Sequence, residues 1–160
     1  MKRLMIDLHN WIIKISTKKK ELGGYSVCPF AKSAKYKIFK VNLNEIVPNL
    51  FELDYDVIVF VLKQKISINQ LKNKCKSLNK KYKDYVFLPD HKKYKTLIKD
   101  VQTNNGKHNL IICQCKKELN KAREILKKTN YYKNWSKKYL KEIMNYGKWY
   151  ILNLTHYKKL

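Results

Sequence analysis

Arginine is almost missing from this very basic chain. Only Arg3 and Arg123 occur among its 36 lysine and arginine residues, and with 12 acidic residues the formal net charge is +24. Proteins that read nucleic-acid sequence depend on the planar arginine fork for bidentate contacts with bases, so this chain has little capacity for base readout. Lysines at this density attract phosphate backbones without sequence preference, but they are also what an AT-rich genome writes at permissive surface positions. We favour the compositional explanation.

Long apolar runs are also absent. No stretch approaches the roughly 18 apolar residues that a membrane helix needs. The basic start of the chain is interrupted by Asp7 and His9, and no small-residue cleavage site follows, so we expect no secretory signal. An apolar fraction of 44% over 160 residues suits one folded domain with a closed core. We therefore predict a single domain over residues 1–160, a cytoplasmic location and no membrane partner.

Cysteine is scarce, which excludes a disulfide scaffold at this length. The chain has four cysteines, at Cys28, Cys75, Cys113 and Cys115. A zinc site that combines Cys113 and Cys115 with Cys28 or a histidine is conceivable. Metal sites more often space their paired cysteines two to four residues apart, so we interpret Cys113 and Cys115 as small buried thiols. We predict no metal site, and the sequence does not identify a cofactor.

Apolar spacing predicts that strands alternate with helices along the chain. Residues 57–62 are apolar at every position and rich in β-branched side chains, which is typical of a central strand buried on both faces. The alternation favours an α/β (or α+β) fold, with a mixed sheet of about four to five strands and helices packed on it. The predicted strands are residues 36–41, 57–62, 85–88 and 110–113, and residues 149–154 form an edge strand or a docked tail.

Helices are predicted where apolar residues recur at three- and four-residue spacing. The first spans about residues 3–16, Asn44 caps a brief second helix, and Ser67 caps a third. Two more helices follow the last central strand, and Gly147 ends the final one. The residues predicted to face inward are Leu4, Leu8, Trp11, Ile12 and Ile15, then Ile46, Leu50 and Leu53, then Leu71, Cys75, Leu78 and Tyr82, then Leu119, Ala122, Ile125 and Leu126, and finally Trp135, Tyr139, Ile143 and Met144.

The most unusual stretch is residues 23–32, where two glycines, a cysteine and a proline coincide. Cys28 follows the glycine turn and is predicted to precede a helical turn, whose free backbone amides would stabilise a thiolate. Lys32 and Lys35 would lower the pKa of the thiol further. The alternative is that Cys28 is a buried packing residue at a tight turn.

Residues 28–31, Cys-Pro-Phe-Ala, resemble the active-site turn of thioredoxin-like and glutaredoxin-like proteins, which have Cys-Pro-aromatic-Cys. Ala31 stands where the resolving cysteine of those proteins would be. The resemblance therefore implies a monothiol role for Cys28 and excludes a local dithiol cycle.

Pro89-Asp90-His91 lies just past a predicted strand end, where ligand and catalytic groups gather in α/β sheets. Asp90 and His91 are candidates for a general-base pair. The alternative is a strand-terminating turn with Asp90 as its capping residue. Residues 92–107, which end in an Asn-Asn-Gly turn, form the longest irregular stretch, and long loops in compact domains are often functional.

These motifs together are similar to an uncharacterised bacterial domain family whose members carry Gly-Leu-Asn-Leu-Cys-Pro-Phe-Ala after an N-terminal helix. That family has a strand ending in His-Pro-Asp, and here Leu88 precedes Pro89-Asp90 at that place. A Thr-Asn-Arg-Ser-Pro-Tyr-Pro loop precedes its next strand, much as Thr103-Asn104 precedes residues 110–112. The similarity covers about residues 10–115 and implies no established activity. The residues that it marks are Cys28, Pro29, Phe30, Pro89, Asp90, Thr103 and Asn104.

We therefore predict a pocket formed by the Cys28 loop, the Asp90 turn and the Asn104 loop. Backbone amides and lysines around it would suit a small anionic or phosphate-bearing ligand. If the protein is an enzyme, Cys28 is the candidate nucleophile or redox thiol, with Asp90 or His91 as proton carrier. The candidate ligand-binding residues are Gly24, Pro29, Phe30, Lys32, Lys35, Thr103 and Asn104.

Two other functions are consistent with the sequence. A basic nucleic-acid-binding module would use the lysines together with C-terminal aromatics, at residues 131–135 and 149–150, as a stacking platform for bases. Aromatics at helical spacing more often belong to a core, and we favour that interpretation here. The third possibility is an interaction domain without a site, its charge set by codon usage.

Overall fold

A computed structural model of the chain describes residues 2–46 and 54–145. The strands are β1 (Tyr36–Val41), β2 (Val57–Leu62), β3 (Tyr85–Asp90), β4 (Leu97–Ile98), β5 (Val101–Gln102) and β6 (Leu110–Cys115). The helices are α1 (Lys2–Ser16), α2 (Ile68–Lys81), α3 (Lys116–Lys127) and α4 (Lys137–Asn145), with short 3-10 helices at Lys20–Leu22, Leu43–Glu45 and Tyr131–Asn134.

The main sheet is mixed and has the strand order β1-β2-β6-β3. β1 runs parallel to β2, and β6 runs antiparallel to both β2 and β3. β4 and β5 form a separate two-stranded hairpin. The predicted α/β fold with a mixed sheet is confirmed.

The central strand β2 is buried along its whole length, as its apolar sequence predicts. Ile58, Phe60 and Leu62 face α2 and pack in one cluster with its inward side. The alternate valines of β2 face the other way and pack in a second cluster with Leu8 of α1 and Leu110 of β6. Because side chains alternate along a strand, one apolar run supplies both cores. The sheet therefore lies between α1 and α2.

Helix α2 begins at the predicted cap. Ser67 Oγ accepts a hydrogen bond from Gln70 N at 3.2 Å, and Gln70 Oε1 accepts one from Ser67 N at 2.9 Å. This reciprocal capping box satisfies two backbone donors that the first turn of a helix leaves free.

A second contact joins α2 to the edge strand β3. The Asn79 side chain donates to Phe87 O at 2.8 Å and accepts from Phe87 N at 2.9 Å, in the way that a neighbouring strand would. β3 lies at one edge of the sheet, where backbone groups would otherwise lack partners. Asn79 therefore closes part of this edge.

We expect Asn79→Ala to lower the free energy of unfolding by about 1–3 kcal/mol, because it removes the side chain that hydrogen-bonds both the N–H and the C=O of the buried Phe87. Urea titration followed by circular dichroism measures this loss. Asn73→Ala, at an exposed position on the same helix, is the matched control and should change stability much less. Equal losses in the two variants would contradict a specific role for Asn79.

Three local predictions are wrong. β3 continues through Pro89 and Asp90 instead of ending at Leu88, because an edge strand tolerates proline on its unpaired side. Asn42, not Asn44, caps the segment after β1, which is the 3-10 helix Leu43–Glu45. Residues 92–107 are not irregular throughout, since they contain the β4–β5 hairpin.

Helix α3 also differs from its predicted orientation. Ile125 was expected to face inward but is 58% exposed, whereas Arg123 is buried. The Arg123 guanidinium donates from Nη2 to Ile143 O at 3.0 Å and so joins α3 to α4. A hydrogen-bonded guanidinium with a long apolar stem can therefore occupy an inward position.

Some predictions fall outside the described residues. They concern Leu50, Leu53, Gly147 and residues 149–154, together with the aromatic pair at 149–150. Within residues 2–46 and 54–145, no helix has the length and apolar character needed to cross a membrane.

Candidate functional site

A cleft of about 810 Å³ lies on the face of the sheet that α1 covers. Its floor includes Val57 and Val59 of β2 and Ile112 of β6, and α1, α3 and α4 contribute to its walls. The three loops predicted to form a site all reach it. The predicted site residues that line the cleft are Cys28, Pro29, Phe30, Asp90, His91, Thr103 and Asn104, whereas Gly24, Lys32 and Lys35 do not line it.

The loop that carries Cys28 is held by contacts from several elements. Cys28 N donates to Ile15 O at the end of α1, at 2.8 Å. Tyr36 of β1 donates its hydroxyl to Ala31 O at 2.8 Å, and the Tyr131 hydroxyl donates to Val27 O. These bonds fix the loop against one end of the cleft.

The Cys28 thiol is not activated in the way that its neighbours in sequence suggest. Residues 29–33 form turns instead of a helix, so no helix N-terminus faces the sulfur. Burial raises the pKa of the Cys28 thiol, and hydrogen bonds from the Phe30 and Ala31 backbone amides offset only part of that rise. Lys32 is exposed, and Lys35 pairs with Asp54 at 3.1 Å. The prediction of a lowered thiol pKa is therefore wrong.

We expect alkylation of Cys28 by iodoacetamide to rise with a midpoint above pH 8.5, the approximate value for a free cysteine, because burial disfavours the thiolate. Peptide-resolved mass spectrometry across a pH series measures it separately from the other three cysteines. A short peptide with one cysteine and both termini blocked, alkylated in the same series, is the reference thiol. A Cys28 midpoint at or below the reference would contradict the burial argument.

Asp90 is the buried carboxylate of the cleft. It ends β3 at 7% exposure, and both of its oxygens accept hydrogen bonds from Asn105. Asn105 N donates to Oδ2 at 3.0 Å, and Asn105 Nδ2 donates to Oδ1 at 2.7 Å.

Asn105 is a site residue that the sequence argument missed. Besides holding Asp90, its Nδ2 donates to His108 O at 2.9 Å, and its Oδ1 accepts from Lys107 N at 2.9 Å. The turn therefore fixes the orientation of the Asn105 side-chain amide, and this amide fixes the orientation of the Asp90 carboxylate. The signal available in the sequence was the Asn-Asn-Gly triplet, in which asparagine commonly bonds backbone groups of its own turn.

Burial raises the pKa of Asp90 from an ordinary 3.8 to about 6, against the opposing effect of the Asn105 hydrogen bonds. The folded state therefore holds the Asp90 proton to higher pH than the unfolded chain does. The stability that this group contributes is complete below about pH 4 and is lost as the pH rises through about 6.

We expect the free energy of unfolding of the wild type, relative to Asp90→Asn, to fall by roughly 3 kcal/mol between pH 4 and pH 7. The variant lacks this titrating group, so subtraction cancels the other pH-dependent groups. Urea unfolding of both proteins at half-unit pH steps measures the difference. A difference that stays constant, or that grows as the pH rises, would rule out a raised Asp90 pKa.

His91 is tied to the backbone through both ring nitrogens. Nε2 lies 2.8 Å from Ile66 O, and Nδ1 accepts from Lys93 N at 3.2 Å. Both ring nitrogens of His91 are therefore engaged by backbone groups. Among the described contacts none joins His91 to the Asp90 carboxylate, so the structure does not bring the two side chains together as an acid–base pair.

Thr103 and Asn104 line the cleft but are engaged in holding their loop. Asn104 Oδ1 accepts from Thr96 N at 3.3 Å, and Asn104 Nδ2 donates to His91 O at 3.3 Å. Thr103 Oγ1 shares a hydrogen bond with the Tyr139 hydroxyl at 3.1 Å, and Thr103 O accepts from Trp11 Nε1 at 3.0 Å. This loop therefore joins α1 to α4 across one end of the cleft.

Aromatic side chains form the wall between the Cys28 end and the Asp90 end. Tyr131 is buried, and its ring centroid lies 4.7 Å from that of Tyr132 and 5.4 Å from that of Trp135. Trp135 stacks on Tyr139 at 5.5 Å, with 17° between the ring planes. Tyr131 therefore belongs to the core, whereas the nucleic-acid alternative stays a prediction from the sequence. Tyr132 and Trp135 are only partly buried, and both line the cleft.

In the lining of the cleft acidic residues outnumber basic ones, whereas the chain as a whole is strongly basic. Five carboxylates line the cleft, whereas the lysine and arginine residues of the described lining number three. The chain as a whole has 36 basic and 12 acidic residues. The carboxylates are Asp54, Asp56, Asp90, Glu118 and Glu142, and the cations are Lys72, Lys121 and Arg123.

Within the described part of the chain, no group of three His, Cys, Asp or Glu side chains is placed to hold a metal ion. Cys75 and Cys113 are buried in the core between the sheet and α2.

Comparison of the chain with protein-family models, curated proteins and solved structures finds no match. The two family resemblances therefore stay predictions from the sequence.

Proposed function

We propose that this protein binds a small ring-bearing molecule in the cleft between α1, the sheet and α4. The observation that carries this proposal is the pair Tyr132 and Trp135, partly buried rings that face 810 Å³ of open volume over an apolar floor. Ligand sites are typically concave and apolar, with a few placed polar groups. Aromatic walls favour a flat ligand, because stacked and edge-to-face rings attract each other beyond the effect of burial alone.

The lining favours an uncharged or cationic ligand over the small anion predicted from the sequence. That prediction relied on backbone amides and on lysines around the pocket, and neither Lys32 nor Lys35 lines the cleft. Lys72 and Lys121 do line it, but each is paired with a carboxylate, at 3.1 Å and 2.9 Å. Arg123, the third cation of the lining, is buried and donates to Ile143 O at 3.0 Å, so a small anion would have to compete with the existing partners of all three cations.

Thiol-dependent chemistry has less support than binding. Cys28 lines the cleft, but its raised pKa keeps the sulfur protonated and weakly nucleophilic near pH 7. The imidazole of His91 has backbone partners at both nitrogens, which leaves it poorly placed to accept a proton from the thiol. We therefore assign Cys28 to the wall of the cleft and propose no reaction.

Only the net charge of the chain supports the alternative function in nucleic-acid binding. Tyr131 is buried, and Tyr132 and Trp135 lie in the wall of one cleft, so the described rings do not form an extended platform for successive bases. Phosphate attraction by exposed lysines would be general and salt-dependent.

A cytoplasmic location stays a prediction from the sequence.

The neutral probe 2-naphthalenemethanol tests the proposal by isothermal titration calorimetry. We expect saturable binding, weakened roughly three- to tenfold by Trp135→Leu, which keeps an apolar side chain but removes the ring. Trp135→Phe retains a ring and is the matched control, so it should bind within about twofold of the wild type. Circular dichroism checks that both variants fold.

Two results would overturn the proposed function. One is no binding of the probe by the wild type. The other is an equal affinity of Trp135→Leu and Trp135→Phe, which would show that the ring of Trp135 does not form part of the binding site.

A further inference from the structure

We infer that Asp90 recognises a positively charged nitrogen group, such as a protonated amine or an amidinium, on the ligand of the cleft. This inference rests on the proposed function and adds to it the charge class of the ligand and the residue that selects it. The ion pairing, the hydrogen bonding and the surroundings of Asp90 support this inference.

Asp90 has no cationic partner among the described residues, although the chain has 36 basic residues. Three other carboxylates of the lining each lie beside a lysine. Buried carboxylates are normally paired with a cation, because the loss of hydration is costly. The most buried carboxylate of the cleft thus lacks a counter-charge, and the only other lining carboxylate without an ion pair among the described residues, Asp56, is exposed and accepts from Lys35 N at 2.8 Å. The three pairs are Asp54 with Lys35, Glu118 with Lys121, and Glu142 with Lys72.

The carboxylate retains acceptor capacity. A carboxylate offers about four lone-pair positions, and the Asn105 backbone and side chain occupy one on each oxygen. Both donors come from a single turn, which holds the group in one orientation before any ligand arrives. Such preorganisation lowers the entropic cost of binding.

Aromatic rings line the same cleft as the Asp90 carboxylate. The Tyr139 hydroxyl bonds Thr103, the neighbour of Asn104, and Trp135 stacks on the Tyr139 ring. Ring faces attract cations, and Trp135 and Tyr139 line the same cleft as Asp90, so both features suit a cationic ligand. A ligand with a ring and a cationic nitrogen would satisfy both features of the cleft.

The net charge of +24 opposes the approach of a cation. Salt at about 0.15 M screens exposed charges beyond roughly 8 Å, whereas a short buried pair is screened much less. Affinities measured at physiological ionic strength therefore depend more on the charges inside the cleft than on the exposed lysines.

Three probes that share one ring system test the inference. They are 2-naphthylmethylamine, which is cationic, 2-naphthalenemethanol, which is neutral, and 2-naphthoate, which is anionic. At pH 7.5 and 0.15 M salt we expect the amine to bind about tenfold tighter than the alcohol, and the naphthoate to bind weakest, as for a hydrogen bond to a charged group. Asp90→Asn should remove most of the amine's advantage over the alcohol.

Asp54→Asn is the matched control. Asp54 is a second carboxylate of the lining, but its side chain is 98% exposed and is paired with Lys35. This variant should retain the full preference for the amine over the alcohol.

The contrary outcomes distinguish a failure of the inference alone from a failure of the proposed function. If the alcohol binds but the amine binds no tighter, the inference is wrong and the proposed function stands. If the amine's advantage survives Asp90→Asn, a different group recognises the charge and the inference is again wrong. If none of the three probes binds, both proposals are wrong.

A measurement on the wild type covers the case in which Asp90→Asn does not fold. The ¹³C resonance of the Asp90 carboxyl group should titrate at lower pH when the amine is bound, because a bound cation stabilises the carboxylate. The alcohol should not lower that titration midpoint. An unchanged midpoint with bound amine would overturn the inference without any variant.

Discussion

The antiparallel pairing of β6 between β2 and β3 is the constraint on which the rest of this structure depends. Leu110, the first residue of β6, pairs with Val61 of β2 on one side and with Asp90 of β3 on the other. The loop that leads into β6 must therefore pass directly over the end of β3. This is why Asn105 can bond both oxygens of Asp90, and why the loop residues 103 and 104 reach the same cleft.

The same sheet explains how a very basic chain contains an acid-rich cleft. The exposed surface carries most of the lysines, where water and salt reduce the cost of their mutual repulsion. Carboxylates are few in the chain, but several of them follow or precede the central strands, and the sheet gathers them around one face. Asp54 and Asp56 precede β2, Asp90 ends β3, and Glu118 lies in the first turn of α3.

Asp90 is also where stability and the proposed function oppose each other. A buried carboxylate without a counter-ion destabilises the folded protein at neutral pH, and its pKa of about 6 expresses that effect. Binding sites often retain groups that are unfavourable for folding alone. Asn105 limits the loss by satisfying one lone pair on each oxygen, which is why the carboxylate can persist in this environment.

Sequence periodicity was enough to predict β2, the capped start of α2 and the α/β class, because alternation, helical spacing and capping act over a few residues. Strand order, the exposed Ile125 beside the buried Arg123, and the role of Asn105 depend on contacts between distant segments, which local patterns do not encode. The Cys28 stretch shows the difference most clearly. Its sequence neighbours predict a lowered thiol pKa, but hydrogen bonds to α1 and Tyr131 hold the loop in a place where desolvation raises the thiol pKa more than the Phe30 and Ala31 amides lower it.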